Sequence, residues 1–114
     1  MTVTAHRRGL FAETAARLYL RLKGYRIRET RYKTPLGEID LIATRNRTVV
    51  FIEVKWRENI DTGLSSISAK SRDRIQRAAM LYLQRHPSYA EWAYRFDALV
   101  LAPCAWPRHV TNAW

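Results

Sequence analysis

Cysteine is almost missing from this chain: Cys104 is the only one among 114 residues. No internal disulfide can form, and no Cys/His cluster has the spacing of a zinc site. His6, His86 and His109 are scattered and read as solvated or capping residues. Cys104 lies in Ala102-Pro103-Cys104-Ala105 with no base nearby in sequence, so it reads as an inert thiol. Glycine and proline are also sparse, four of each, while apolar residues make up 47%, which argues against disorder. No uninterrupted apolar run approaches ~20 residues, so no transmembrane helix is expected. Arg7, Arg8, Glu13 and Arg17 interrupt the N-terminal apolar positions, so no signal peptide is expected and a cytoplasmic protein follows. Acidic residues are scarce as well: 10 Asp and Glu face 20 Lys and Arg, a net charge of +10. Such a surface attracts polyanions, nucleic acid first among them, with an anionic membrane surface as the competing reading. A chain of this length can bury a core as one domain, residues 1–114.

The most informative segment is Gly37-Glu38-Ile39-Asp40-Leu41-Ile42-Ala43, followed after a short gap by Glu53-Val54-Lys55. Both pieces are rich in β-branched and other apolar residues and read as strands. Arg45-Asn46-Arg47 is a short polar turn that joins them as a hairpin. Glu53 and Lys55 are two apart and project from one face, and pairing brings Asp40 beside Glu53. Val49 to Val54 is an apolar run of the kind covered on both faces, where a lone carboxylate is costly. A hard divalent cation held by oxygen ligands offsets that cost. The plainer alternative is a Glu53–Lys55 or Glu53–Arg57 ion pair at a strand end.

Residues from about Thr4 to Lys23 read as a helix, with Leu10, Phe11, Ala15, Leu18, Tyr19 and Leu22 as its apolar stripe and Gly24 as its stop. Tyr25 to Tyr32 alternates as a strand with one wet face, and Pro35-Leu36-Gly37 turns into the next. Arg57 to Ser68 reads as a mobile loop, with Ser68 placed to cap a second helix over about Ala69 to Arg85. Ile75, Ala78, Ala79, Tyr82 and Leu83 form that helix's buried stripe, and Pro87 ends it. Arg95 to Leu101 is a further strand, and the tail has room for another. The expectation is a single α/β sandwich around a mixed sheet flanked by helices.

These residues resemble the YraN-like family of predicted endonucleases, relatives of Holliday-junction resolvases within the PD-(D/E)XK nuclease superfamily. The resemblance is carried by Gly9 with Glu13, Gly24-Tyr25, Gly37-Glu38-Ile39-Asp40-Leu41-Ile42, Phe51-Ile52-Glu53-Val54-Lys55 with Arg57, Lys70, and Arg95-Phe96-Asp97. It implies a restriction-endonuclease-like αβββαβ core. It implies Asp40 and Glu53 as Mg²⁺ ligands, with the Val54 carbonyl as a further one and Mn²⁺ as a substitute. Lys55 would orient or activate the attacking water, and Glu13 would assist the metal site. Lys70 would meet a DNA phosphate, and Glu38 shares the strand face of Asp40. Symmetric homodimers are implied by analogy with resolvases. The chain departs from the family pattern at Arg31, where an asparagine is usual, at Ile39, which replaces the superfamily's proline, and at Thr62-Gly63, where an aromatic-glycine pair is usual.

The expected function is metal-dependent hydrolysis of a nucleic-acid phosphodiester, in structured or branched DNA, with Asp40, Glu53, Lys55 and Glu13 as the catalytic set. Arg57, Lys70, Arg74 and Arg77 are the candidate phosphate contacts, without base reading. One rival is a non-catalytic nucleic-acid-binding module on the same fold. Another is an interaction protein whose basic surface meets acidic lipid or a partner. Trp56, Trp92, Trp106 and Trp114 are available for stacking on bases, with ordinary packing as the alternative for most of them.

Overall fold

The computed structural model describes residues 5–58 and 68–114, with side chains from Phe11 onward in the first helix. The chain runs through α1 (Ala5–Leu22), β1 (Arg26–Thr34), β2 (Gly37–Arg45), β3 (Thr48–Trp56), α2 (Ala69–Arg85), a 3₁₀ turn at Pro87–Tyr89, β4 (Ala93–Leu101) and β5 (Arg108–Val110). The expected αβββαβ order is present, with β5 as the added tail strand. The loop expected over Arg57 to Ser68, Thr62-Gly63 included, lies for residues 59–67 outside the described residues, as do the His6 side chain and the surroundings of Gly9.

The strands form one mixed sheet in sequence order. β3 and β4 are parallel and the other neighbours antiparallel. A parallel pair needs a crossover, which α2 supplies. Side-chain alternation then divides the core. Leu41, Ala43, Val50, Ile52, Leu99 and Leu101 bury against Ala12, Ala16 and Leu20 of α1. Ile42, Val49, Phe51 and Phe96 bury on the other face against Ile75, Ala78, Ala79 and Tyr82 of α2. β3 is thus covered on both faces, as its apolar run required.

Local signals set the boundaries. Gly24 adopts a φ of 91°, which favours glycine. Its N–H donates to the Arg21 carbonyl and the Tyr25 N–H to the Leu20 carbonyl, the two bonds of a Schellman stop. Asn46 and Arg47, with φ of 51° and 54°, close the β2–β3 hairpin with two left-handed residues, matching the twist of the strands. Ser68 caps α2 by accepting from the Ser71 N–H at 3.1 Å.

Three expectations need correction. The apolar stripe of α1 is not Phe11, Leu18 and Leu22, which are exposed. The sheet takes the face of Ala12, Ala16 and Leu20, whose small residues let the helix approach closely, and the bulkier strip stays outside. In β1 the register against β2 shifts between Ile27 and Glu29, so the plain alternation expected over Tyr25 to Tyr32 fails: Ile27 packs with the α1 cluster and Tyr32 with the α2 cluster. His109 is neither solvated nor a cap: its ring is buried and bonded to Asp97 and Lys23.

Candidate active site

The site begins where β2 and β3 stop pairing. Their ladder runs from Arg45–Thr48 to Leu41–Ile52, and one further step would set Asp40 opposite Glu53. In place of a backbone bond, the Val54 N–H donates to Asp40 Oδ2 at 2.8 Å. The carboxylate fills the gap between the two parting strands and satisfies a donor that would otherwise be orphaned. Val54 therefore enters through its N–H, and its side chain packs toward α1. Glu53 and Lys55, on the opposite face from Val54, form an ion pair at 2.9 Å.

Over this edge lies the first turn and a half of α2. A cavity of about 540 Å³ is lined by Glu38, Asp40 and Glu53 from the sheet and by Ser68, Lys70, Ser71 and Arg74 from the α2 end. Gly37 permits this approach: a Cβ there would stand 2.6 Å from the Arg74 carbonyl oxygen. Acids therefore come from the strands, cations from the helix, and the positive end of the helix macrodipole points the same way.

Burial, and next the neighbouring charge of Glu53, push the Asp40 carboxyl up to about 7 from its ordinary 3.8, against the opposing pull of the Val54 N–H and Lys55. The charge of Glu53, itself paired to Lys55, thus disfavours a second negative charge on Asp40. Glu13 adds negative charge near Asp40 but is itself taken by Arg31, whose Nε donates at 2.8 Å. The hydrogen bond to Glu13, then its charge, hold the Arg31 guanidinium above its ordinary value.

Of the residues expected to act together, Asp40, Glu53, Lys70 and Arg74 line one cavity, and Lys55 joins through Glu53. Arg57 stands at the end of β3, its N–H bonded to the Leu101 carbonyl and its guanidinium to the Trp56 carbonyl. Arg77 lies outside the cavity lining and pairs with Asp73. Among the described residues no group of three or more His, Cys, Asp or Glu stands close enough to hold a metal ion. The cavity lining itself carries three carboxylates, Glu38, Asp40 and Glu53, and Mg²⁺ as a rule keeps several waters and takes one or two protein carboxylates beside substrate phosphates.

One cluster escaped the sequence reading. Asp97 is fully buried (0% exposed) and accepts from Arg95 Nε at 3.0 Å, His109 Nε2 at 2.7 Å and the Asn112 N–H at 2.9 Å. Lys23 Nζ lies 2.8 Å from His109 Nδ1. An ammonium can only donate, so Nδ1 accepts and Nε2 carries the proton given to Asp97. The available signal was an aspartate inside the apolar run Phe96 to Leu101, which demands buried partners.

The αβββαβ order, the mixed sheet and its two flanking helices define an α/β protein with an architecture consistent with the restriction-endonuclease-like core. The chain belongs to the UPF0102 family: the profile described as "Uncharacterised protein family UPF0102" matches residues 12–101. It is 45% identical over 112 residues to a UPF0102 protein of Parvibaculum lavamentivorans, covering 98% of this chain and 84% of that one. A UPF0102 protein of Methylorubrum extorquens is 49% identical over 109 residues, covering 96% and 85%. One of Nitrobacter winogradskyi is 42% identical over 114 residues, covering 100% and 97%.

Proposed function

We propose that this protein is a metal-dependent endonuclease that hydrolyses phosphodiester bonds in structured or branched DNA. The observation that carries the reading is the splayed end of β2 and β3. There Asp40 and Glu53 face a cavity whose far wall is Lys70, Arg74 and the start of α2. Asp40 and Glu53 are the residues that would hold Mg²⁺ or Mn²⁺, which when bound supplies a polarised phosphoryl oxygen and a water of lowered pKa. Lys55, already paired to Glu53, offsets negative charge that develops on the phosphate. Lys70, Arg74 and the α2 N-terminus hold neighbouring phosphates by charge and by N–H groups. Arg57 and the wider basic surface supply non-specific attraction. Incubation with a four-way junction and Mg²⁺ or Mn²⁺ should yield nicked product, and Asp40→Asn or Glu53→Gln should abolish it. Full activity in both variants would remove the site.

A second reading is a nucleic-acid-binding module without cleavage. It is favoured by Arg31, which occupies Glu13 and so withholds one carboxylate from the set near Asp40. That reading expects salt-sensitive binding that needs no divalent ion and survives both substitutions.

A further inference from the structure

β3 and β4 are parallel and end side by side, Trp56 opposite Leu101. Ligands of open α/β sheets gather beyond such carboxyl ends. On the α1 side of this end lies a second cavity of about 570 Å³, lined by Phe11, Trp56, Leu101, Pro103 and Trp106 among others, with no charged side chain in its wall. Its volume is that of an ordinary small-molecule site, about 300–1,000 Å³. The Phe11 and Trp56 rings meet edge to face, with centroids 5.7 Å apart. Phe11 is 61% exposed and Trp106 87% exposed, so two broad aromatic faces are turned to solvent.

Lys55 and Trp56 are consecutive and point to opposite faces of β3, the first toward Glu53 and the second into this cleft. Glu53 and Trp56 are three residues apart, roughly 10 Å along the strand. The two sites lie on opposite faces of the sheet end, so a partner that meets both wraps round the carboxyl end of β3. A partner that crosses the sheet end must satisfy cations at one side and uncharged aromatic rings at the other. A strand of nucleic acid does both, with phosphates for the first and base faces for the second. Bases stacked inside a continuous duplex offer no face to such a cleft.

We propose that the Phe11–Trp56–Trp106 cleft takes an unpaired nucleobase of the strand whose phosphates lie at Lys70 and Arg74, above Asp40 and Glu53. It therefore selects single-stranded or branched DNA over continuous duplex. The proposal rests on the reading of this sheet end as a nucleic-acid surface, and its test does not depend on cleavage. Fluorescence anisotropy without divalent ions compares a labelled single strand, a four-way junction and a blunt duplex. Trp106→Ala and Phe11→Ala, both at exposed positions, should weaken binding of the single strand and the junction roughly 5- to 100-fold. Duplex binding should change less than about twofold, and Trp106→Phe should retain most of the affinity.

Unchanged binding in both alanine variants, or an equal loss on all three DNAs, overturns the proposal. So does a fall of Trp106→Ala to a smaller sedimenting species than the parent, which would make the cleft the seat of a second copy of the chain. Failure of the parent protein to cleave with Mg²⁺ removes the hydrolase reading and leaves this result standing. Metal-dependent cleavage combined with unaltered Trp106→Ala binding removes the cleft alone.

Discussion

At the residue scale Asp40 is held in a state that works against the fold. Its folded pKa of about 7 lies above its ordinary 3.8, so between these values the native state binds a proton the unfolded chain has released. Stability contributed at this position therefore falls as pH rises from about 4 to 7, by on the order of 4 kcal/mol in the metal-free protein. Asp40→Asn keeps an acceptor for the Val54 N–H and loses the charge. Urea melts without divalent ions should find this variant more stable than the parent at pH 8 and close to it at pH 4.5; lower stability at pH 8 would contradict the origin given for the shift. Arg31 is the complementary case, a left-handed residue where asparagine is sterically better suited. Arg31→Asn should release Glu13 and tighten Mg²⁺ or Mn²⁺ binding roughly two- to fivefold by calorimetry. Unchanged or weaker binding would show that Glu13 does not reach the metal. The pair Asp40–Glu53 was legible in the sequence because the short polar turn at Arg45-Asn46-Arg47 sets the hairpin register, although alternation breaks at Asp40, where Ile39 and Leu41 pack on opposite faces. Arg31 was visible only as a departure from a family pattern, since its left-handed backbone leaves no mark on composition.

At the element scale, two contacts decide whether the site exists. Gly37 lets α2 lie on β2, and Gly37→Ala drives a Cβ into backbone atoms of Arg74 at 2.6 and 3.0 Å. Denaturation should show a loss of about 1–3 kcal/mol. A neutral result would mean that α2 shifts freely over the strands. The second contact is Asp97, which ties β4 to β5 and, through His109 and Lys23, to the end of α1. Burial pushes this carboxyl up, but the bonds from His109, Arg95 and the Asn112 N–H outweigh it and hold it below its ordinary value. Its stabilisation is present above about pH 4 and fades as pH falls through the folded value. Asp97→Asn leaves Arg95 and His109 without their carboxylate and should cost about 3–5 kcal/mol at pH 7, with a flatter acid limb in the pH–stability curve. Periodicity alone gave α2 its buried face, since Ile75, Ala78, Ala79 and Tyr82 are both the apolar stripe and the contact. It misassigned α1, where two apolar stripes compete and only the sheet's demand for small side chains chooses between them.

At the scale of the whole molecule, cations outnumber anions two to one, and both candidate surfaces open at the carboxyl ends of β3 and β4. Among the described residues no helix is long and apolar enough to cross a membrane. Binding to duplex or junction should weaken steeply with salt, and Lys70→Ala should lower the slope of log K against log[salt] by roughly one. An unchanged slope would place the phosphates elsewhere. The order of elements along the chain followed from pattern, with a mixed sheet flanked by helices as the expectation. The convergence of Lys70 and Arg74 on Asp40 did not, because it depends on where a crossover lands, and periodicity carries no such information.

The crossover also imposes a chronology. The two acids hang from a hairpin closed by Asn46 and Arg47, whereas the cations above them ride on a segment that must swing past an edge before β4 can zip alongside β3. Short-range pairing outruns long-range pairing. During self-assembly, Asp40, Glu53 and the cation Lys55 are therefore set together early, and Lys70 and Arg74 dock late.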